Sequence, residues 1–318
     1  MSQQILKTIA GVIKQQRRQI LLCTNNHVQC LTKLQHSDET QREVQHHGNY
    51  ANDWWNLNGA MKALHSLNAI RVPFIRDGLV ARGNISPDLV NTCQVLKDQQ
   101  ILEVGCGGGI LTEQLARLGA QMTGIDLSDE LICVAREHLS HVADPKLCDL
   151  IQYKIEPLDI HVKDKLNYYD AVVVSEVLEH VEDKVALLTS CVQCLKPGGS
   201  LFITTLNKTI PMWLGGVLLG EYILRIAPIG THHWDKMISP LDVQRILDTM
   251  GCQTVVINGS TYDFVRNTWR WINTTDMCYA LQAWDVIQSL SMAALMSFGV
   301  IHGAGSIQRI CFMLYRQK

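Results

Sequence analysis

The stretch Ile101-Leu-Glu-Val-Gly-Cys-Gly-Gly-Gly109, followed by Gly124-Ile-Asp126, decides the fold. Four β-compatible residues run into glycines, the helical pattern Leu111, Leu115, Leu118 follows, and a second apolar run ends on an aspartate. The order is strand, tight turn, helix, strand, carboxylate. A glycine turn lets the backbone approach a ligand closely, and the helix after it offers free N–H groups. A carboxylate closing the second strand reaches two ribose hydroxyls. A nucleoside-containing cofactor is therefore expected.

The details select among such cofactors. A nicotinamide site asks for G-x-G-x-x-G, but Gly105-Cys-Gly-Gly-Gly109 reads G-x-G-x-G with Ile at position 110. No Gly-Lys-Ser/Thr follows, so a phosphate-cradling loop is absent. Glu103, two residues before the first glycine, stands where it meets an ammonium. A nucleoside joined to an amino acid is S-adenosylmethionine. Asp126 lies ~20 residues beyond the turn, as a ribose ligand does. Glu103, Gly105, Gly107 and Asp126 are the expected cofactor contacts. A flavin or nicotinamide site is the competing reading.

At 318 residues, 47% apolar and 18% charged, the chain suits one large α/β domain with appendages. The net charge of −2 is uneven. Residues 1–37 hold Lys7, Lys14, Arg17, Arg18 and Lys33 and no acid, which leaves the remainder distinctly acidic, with no reason to bind nucleic acid. An acid-free, basic, amphipathic N-terminus reads as a mitochondrial transit peptide. The eleven cysteines show no regular spacing, so no disulfide scaffold is expected. Cys191-x-x-Cys194 falls in an apolar helical pattern and reads as two core thiols.

Strands are expected at 100–104, 121–125, 150–155, 171–175 and 200–205, with helices at 109–118, 129–139 and 181–195 between them. Such alternation implies a parallel sheet with helices on both faces. A helix at 240–250 and strands at 252–257 and 276–283 follow. Residues 61–82 look helical, with a break or fresh start predicted at Pro73. Residues 210–228 are almost wholly apolar: a buried helix, a lid over a greasy substrate, or a membrane-contacting helix. The domain is expected to span 38–283, leaving 284–318 as a hydrophobic tail of unknown role, too diluted by polar residues to read as a span.

Ser175 ends the strand 171–175, and groups just past such an end point into the ligand crevice. If a helix starts there, Glu176, Glu179 and His180 share one face at i, i+3, i+4. Two carboxylates and an imidazole suit a divalent cation, magnesium first, with zinc or manganese admitted by the imidazole. The plainer reading is acids favoured at a helix N-terminus. His232 is a candidate general base, or else a capping or core histidine.

From about His46 to Ala283 the chain resembles the ubiquinone-biosynthesis O-methyltransferases, within the class I methyltransferases. The resemblance rests on Trp54-Trp-Asn-Leu-Asn-Gly59, Leu67-Asn-Ala-Ile-Arg-Val-Pro-Phe-Ile75, Leu102-Glu-Val-Gly-Cys-Gly-Gly-Gly109, Ser175-Glu-Val-Leu-Glu-His180, Gly230-Thr-His-His-Trp234 and Tyr279-Ala-Leu-Gln282. It implies a Rossmann-like sheet of seven strands with an antiparallel last hairpin. It implies methylation of polyprenylated catechols (3,4-dihydroxy-5-polyprenylbenzoate and demethylubiquinol) at two steps of ubiquinone synthesis. It also implies a peripheral position on the matrix face of the inner mitochondrial membrane, within a multi-subunit complex. Carried over by position, Arg71, Gly105, Asp126 and Ser175 match cofactor contacts, and Glu176, Glu179 and His180 match a Mg2+ site. A cation chelating both catechol oxygens lowers the pKa of the attacking one. Glu176, His180 and His232 are then the catalytic candidates. His233 and the tail beyond about Trp284 depart from the family pattern. The alternatives are a class I methyltransferase for a soluble small molecule, or a non-catalytic cofactor-binding scaffold.

Overall fold

The computed structural model describes residues 44–45, 48, 50–142, 144–213 and 234–286. Within them the chain builds one mixed sheet of eight strands in the order β3-β2-β1-β4-β5-β8-β6-β7. β1 (Gln100–Val104), β2 (Gln121–Asp126), β3 (Ile151–Ile155), β4 (Tyr169–Ser175) and β5 (Leu195–Leu206) pair in parallel. Among the last three, β6 (Cys252–Asp263) and β7 (Thr268–Ile272) form an antiparallel hairpin, and β8 (Cys278–Asp285) runs antiparallel between β5 and β6. Among the described residues the helices longer than one turn are α1 (Lys62–Arg82), α2 (Ile110–Arg117), α3 (Asp129–His141), α4 (Pro145–Leu150), α5 (Leu158–Asp164), α6 (Lys184–Cys194) and α7 (Pro240–Thr249).

Alternation along each strand sorts the side chains onto two buried faces. Leu102, Val104, Val172, Val174, Leu201 and Ile203 pack with Val162 of α5, Leu188 and Cys191 of α6, and Val243 and Leu247 of α7. Their neighbours Ile101, Ala171, Val173 and Phe202 face the other way, onto Ile75 and Leu79 of α1, Leu111 and Leu115 of α2, and Ile132 and Ala135 of α3. Each face is covered by helices because both are apolar.

Three expectations are corrected. The sheet has eight strands, not seven: β7, Thr268-Trp-Arg-Trp-Ile272, hides in sequence because it is an edge strand exposed along most of its length. Pro73 neither breaks nor starts a helix, since α1 runs through it. An interior proline costs ~3 kcal/mol, a loss offset by burial of Leu67, Arg71, Ile75 and Leu79 on either side. Helix α6 begins at Lys184 rather than 181, because the Asp183 carboxylate caps it, accepting from the Ala186 N–H at 2.9 Å. Ahead of α1, Trp54 is buried. Cys191 and Cys194 are fully buried free thiols, as anticipated. The leader expected at 1–37, most of the apolar stretch 210–228, and the tail beyond residue 286 lie outside the described residues. Among the described residues no helix is long and apolar enough to cross a membrane.

The chain runs outward from β1 to β2 and β3, then returns to place β4 on the other side of β1. That reversal opens a crevice at the carboxyl ends of β1 and β4.

Candidate active site

The turn after β1 lines that crevice. Gly105, Gly107 and Gly109 take φ of +70°, +53° and +87°, a left-handed region costly for any residue with a Cβ. Asp126, at the end of β2, holds the turn in place. Its Oδ2 accepts the Gly107 N–H at 2.8 Å and its Oδ1 accepts the Ser128 N–H at 2.9 Å. Burial raises the Asp126 pKa, against the pull of these amides. From the other side two tryptophans close on the turn. Cβ atoms at Gly107 and Gly108 would fall 2.6 and 2.3 Å from the Trp54 indole. Trp55 donates its Nε1–H to the Gly108 carbonyl at 3.0 Å. The Trp55 ring stacks on His138, centroids 3.4 Å apart, and His138 Nδ1 meets the Glu113 carboxylate at 2.7 Å.

A second cluster crosses the ends of β1, β4 and β5. Glu103 is buried and accepts from the Thr112 hydroxyl. Burial pushes its carboxyl up to about 7, with the Arg71 charge pulling the other way. Arg71, 2% exposed, donates from Nη1 to Ser175 Oγ at 2.8 Å and from Nε to Asn68 Oδ1 at 2.6 Å. Ser175 Oγ lies 2.7 Å from Thr204 Oγ1, which donates to Glu176 Oε1 at 2.7 Å. A guanidinium only donates and a carboxylate only accepts, so the direction is set: Arg71 to Ser175, Ser175 to Thr204, Thr204 to Glu176. Glu176 itself sits at φ +57°, a strained conformation for a residue with a side chain. Beside it the buried Glu179 accepts from the Thr205 hydroxyl at 2.6 Å. Burial and the Glu176 charge push the Glu179 carboxyl up to about 8.

The sequence places this site among known proteins. Residues 102–203 match a family described as methyltransferase domain. The mitochondrial ubiquinone biosynthesis O-methyltransferase of Rattus norvegicus is 41% identical over 254 residues, 79% of this chain and 72% of that protein. The chain belongs to the ubiquinone biosynthesis O-methyltransferase family. The Xanthomonas axonopodis pv. citri member is 35% identical over 79% of this chain and 97% of its own length, whereas the chain covers only 62% of the Homo sapiens member. Among solved structures it is similar to magnesium protoporphyrin IX methyltransferase of Synechocystis PCC 6803 with bound SAH. That similarity is 20% identity and a TM-score of 0.47, over 67% of this chain and 81% of that one. Its place in the ubiquinone biosynthesis O-methyltransferase family makes the protein an S-adenosylmethionine-dependent methyltransferase, and its parallel sheet closed by antiparallel last strands is the class I fold.

The expected cofactor residues of this O-methyltransferase are brought together: Gly105 and Gly107 in one turn that Asp126 holds from the end of β2, Arg71, Ser175 and Glu103 beside it. The cradle and the buried acids fit a small zwitterionic nucleoside. Its expected metal ligands fare differently. Glu176 is left-handed and a 3-10 turn, Leu178–His180, follows it, so Glu176, Glu179 and His180 do not share one helical face. Among the described residues no three His, Cys, Asp or Glu side chains group to hold a metal ion. What remains is an oxygen-only pair, Glu176 and Glu179, in which one carboxyl holds a proton or a cation takes its place. That donor set fits magnesium in part. His232 lies outside the described residues. Sequence reading missed Thr204, Thr205 and Thr112, whose partners lie on other elements, Asn68, which accepts from Arg71 one turn along α1, and the docking of Trp54 and Trp55. The doubled tryptophan ahead of α1 was the only local signal for that docking.

Proposed function

We propose that this protein transfers the methyl group of S-adenosylmethionine to a hydroxyl of polyprenylated catechols, 3,4-dihydroxy-5-polyprenylbenzoate and demethylubiquinol, at two steps of ubiquinone synthesis. The observation carrying this reading is the 41% identity to a named ubiquinone O-methyltransferase across 79% of the chain, the site included. When bound, the cofactor supplies an electrophilic methyl on its sulfonium. Asp126 keeps lone pairs for two ribose hydroxyls after accepting its two amides, and Glu103 answers the ammonium. Arg71 and Ser175 fix the opposite wall, and Thr204 orients Glu176 toward the acceptor side. If a divalent cation takes part, the carboxylates of Glu176 and Glu179 would hold it without His180, and its chemistry would be to acidify a chelated catechol. His232 is the proposed proton acceptor. Holding nucleophile and methyl in line supplies several kcal/mol more, of order 7–11 in good cases.

The isoprenoid chain of such an acceptor gains ~0.8 kcal/mol per buried methylene and stays in the bilayer. Ile210 and Trp213, 69% and 42% exposed where the apolar stretch begins, support contact with a membrane. The reading places the protein peripherally on the matrix face of the inner mitochondrial membrane, in a multi-subunit complex, after loss of residues 1–37. The test uses purified protein, labelled donor and vesicles carrying prenylated or short-chain catechols. Preference for the prenylated acceptor is expected. Equal turnover of both would favour a soluble substrate. In the same assay Glu179→Ala should lose the magnesium response after chelation, and an unchanged response rejects the cation.

A further inference from the structure

The β6–β7 hairpin has no part in the chemistry above, and its tip is built to be rigid. Asp263 Oδ1 accepts the N–H groups of Val265 and Arg266 at 3.0 and 3.1 Å, and its Oδ2 accepts from Arg266 Nη1 at 3.1 Å. Asn267, at φ +50°, closes the turn, and its Oδ1 accepts from the Tyr262 and Ser66 hydroxyls at 2.9 and 3.0 Å. Trp269 donates its Nε1–H to the Ala63 carbonyl at 2.9 Å, which ties the hairpin to the start of α1. Held this firmly, the tip still presents apolar groups to solvent: Phe264 is 44% exposed and Val265 80%. Arg266, with a side chain 78% exposed, adjoins them, and Arg270 is exposed on β7. Asp263, the only acid in residues 263–272, is taken up by the turn and by Arg266.

Register fixes which end of the sheet this tip occupies. Leu206 of β5 pairs with Cys278 of β8, and Cys278 pairs with Ser260 of β6. β6 continues past that line to Asp263, paired with Thr268 of β7, so the hairpin stands about 10 Å beyond its neighbour strand. β5 leaves the sheet at the same line and runs on to Ile210 and Trp213. Because β5, β4 and β1 are parallel, this is also the end at which the crevice opens. Exposed apolar groups on two separate elements thus stand at the crevice end. A convex tip offers a folded partner little area to bury, whereas a lipid surface yields around it. There the apolar groups enter the acyl boundary and the arginines stay with the phosphates.

We propose that the tip of the β6–β7 hairpin is a second lipid contact, fitted to an anionic bilayer surface. Phe264 and Val265 enter the acyl boundary, and Arg266 and Arg270 meet the headgroups. With Ile210 and Trp213 the tip turns the mouth of the crevice toward the bilayer. This rests on the membrane reading above and extends it to the residues that fix orientation.

The experiment is co-sedimentation of the full chain with vesicles of phosphatidylcholine, with and without phosphatidylglycerol. Phe264→Ser combined with Val265→Ser should weaken binding to both vesicles about tenfold or more. Arg270→Gln should weaken binding to the anionic vesicles about fivefold and leave the neutral ones unchanged. Melting temperature and S-adenosylhomocysteine affinity should match wild type in both variants. A folded double variant that binds vesicles as wild type does overturns the proposal and leaves the membrane reading standing. Should the double variant melt lower, Arg270→Gln decides alone, and its undiminished binding to anionic vesicles overturns the proposal. A wild-type dimer that dissociates in the double variant assigns the tip to a second copy of the chain and overturns it too. Wild type that binds neither vesicle overturns the membrane reading itself.

Discussion

Replacing Asp126 by Asn separates what the carboxylate does for the fold from what it does for the ligand. In the free protein the two oxygens accept the Gly107 and Ser128 amides at 2.8 and 2.9 Å. Asn keeps one acceptor and turns an NH2 group toward the other amide, so a donor faces a donor. Hydrogen bonds to charged groups contribute ~1.5–3 kcal/mol each, but the variant also escapes the desolvation that raises the Asp126 pKa. The net loss of stability should be about 1–2 kcal/mol, a fall in Tm of roughly 3–6 °C for a domain of this size. Binding should suffer more. Two ribose hydroxyls each lose a charged acceptor, at least ~3 kcal/mol together, so the Kd for S-adenosylhomocysteine should rise about a hundredfold. Calorimetry and thermal melts on the same sample read both quantities. A variant that melts as expected yet binds within about threefold of wild type refutes the assignment of Asp126 to the sugar.

Other outcomes follow from the same geometry. Glu103 carries its proton up to about 7, against an ordinary 4.5, because it is buried. The folded chain therefore holds more protons than the unfolded one between those values, and stability contributed by this group falls as pH rises through that window. Glu103→Gln should remove up to ~3 kcal/mol of this pH dependence, and parallel denaturation slopes in both proteins from pH 5 to 8 would contradict it. Gly108→Ala puts a methyl 2.3 Å from Trp54 Cδ1, so the indole must leave the turn. The expected cost is ~1–3 kcal/mol with a red-shifted tryptophan emission, and unshifted emission counts against the docking. Thr204→Val leaves Ser175 Oγ and Glu176 Oε1 without their shared partner, which should lower kcat/KM about tenfold to a hundredfold with little change in the donor Kd. Loss confined to donor binding would place the relay on the cofactor side instead.

The glycine turn, Asp126 and Ser175 are legible in sequence because their signals are local: strand residues, glycines and a terminal polar group act within a few positions. The pairing of Arg71 with Ser175 is not, since 104 residues separate them. Resemblance to a family names Arg71, but only the fold explains why a buried guanidinium is tolerated there, with Ser175, Asn68 and the charges of Glu103 and Glu176 around it. The metal-face expectation failed for a backbone reason: spacing assumes a helix, and a left-handed Glu176 starts none. Pro73 misled because propensity is a local cost that a long buried helix face outweighs. β7 went unseen because a half-exposed edge strand with an arginine between two tryptophans has no clean period.

β8 comes last of the eight strands in the chain but occupies the interior of the sheet. A ribosome therefore releases the keystone after the rest of the arch. Until residues 278–285 arrive, β5 shows the open edge that β8 later covers along 200–206, and the β6–β7 hairpin has no seat. Open apolar edges recruit other strands. A nascent or prematurely terminated chain lacking this segment is thus no smaller enzyme but a sticky half-sheet, a client for chaperones and then for proteases.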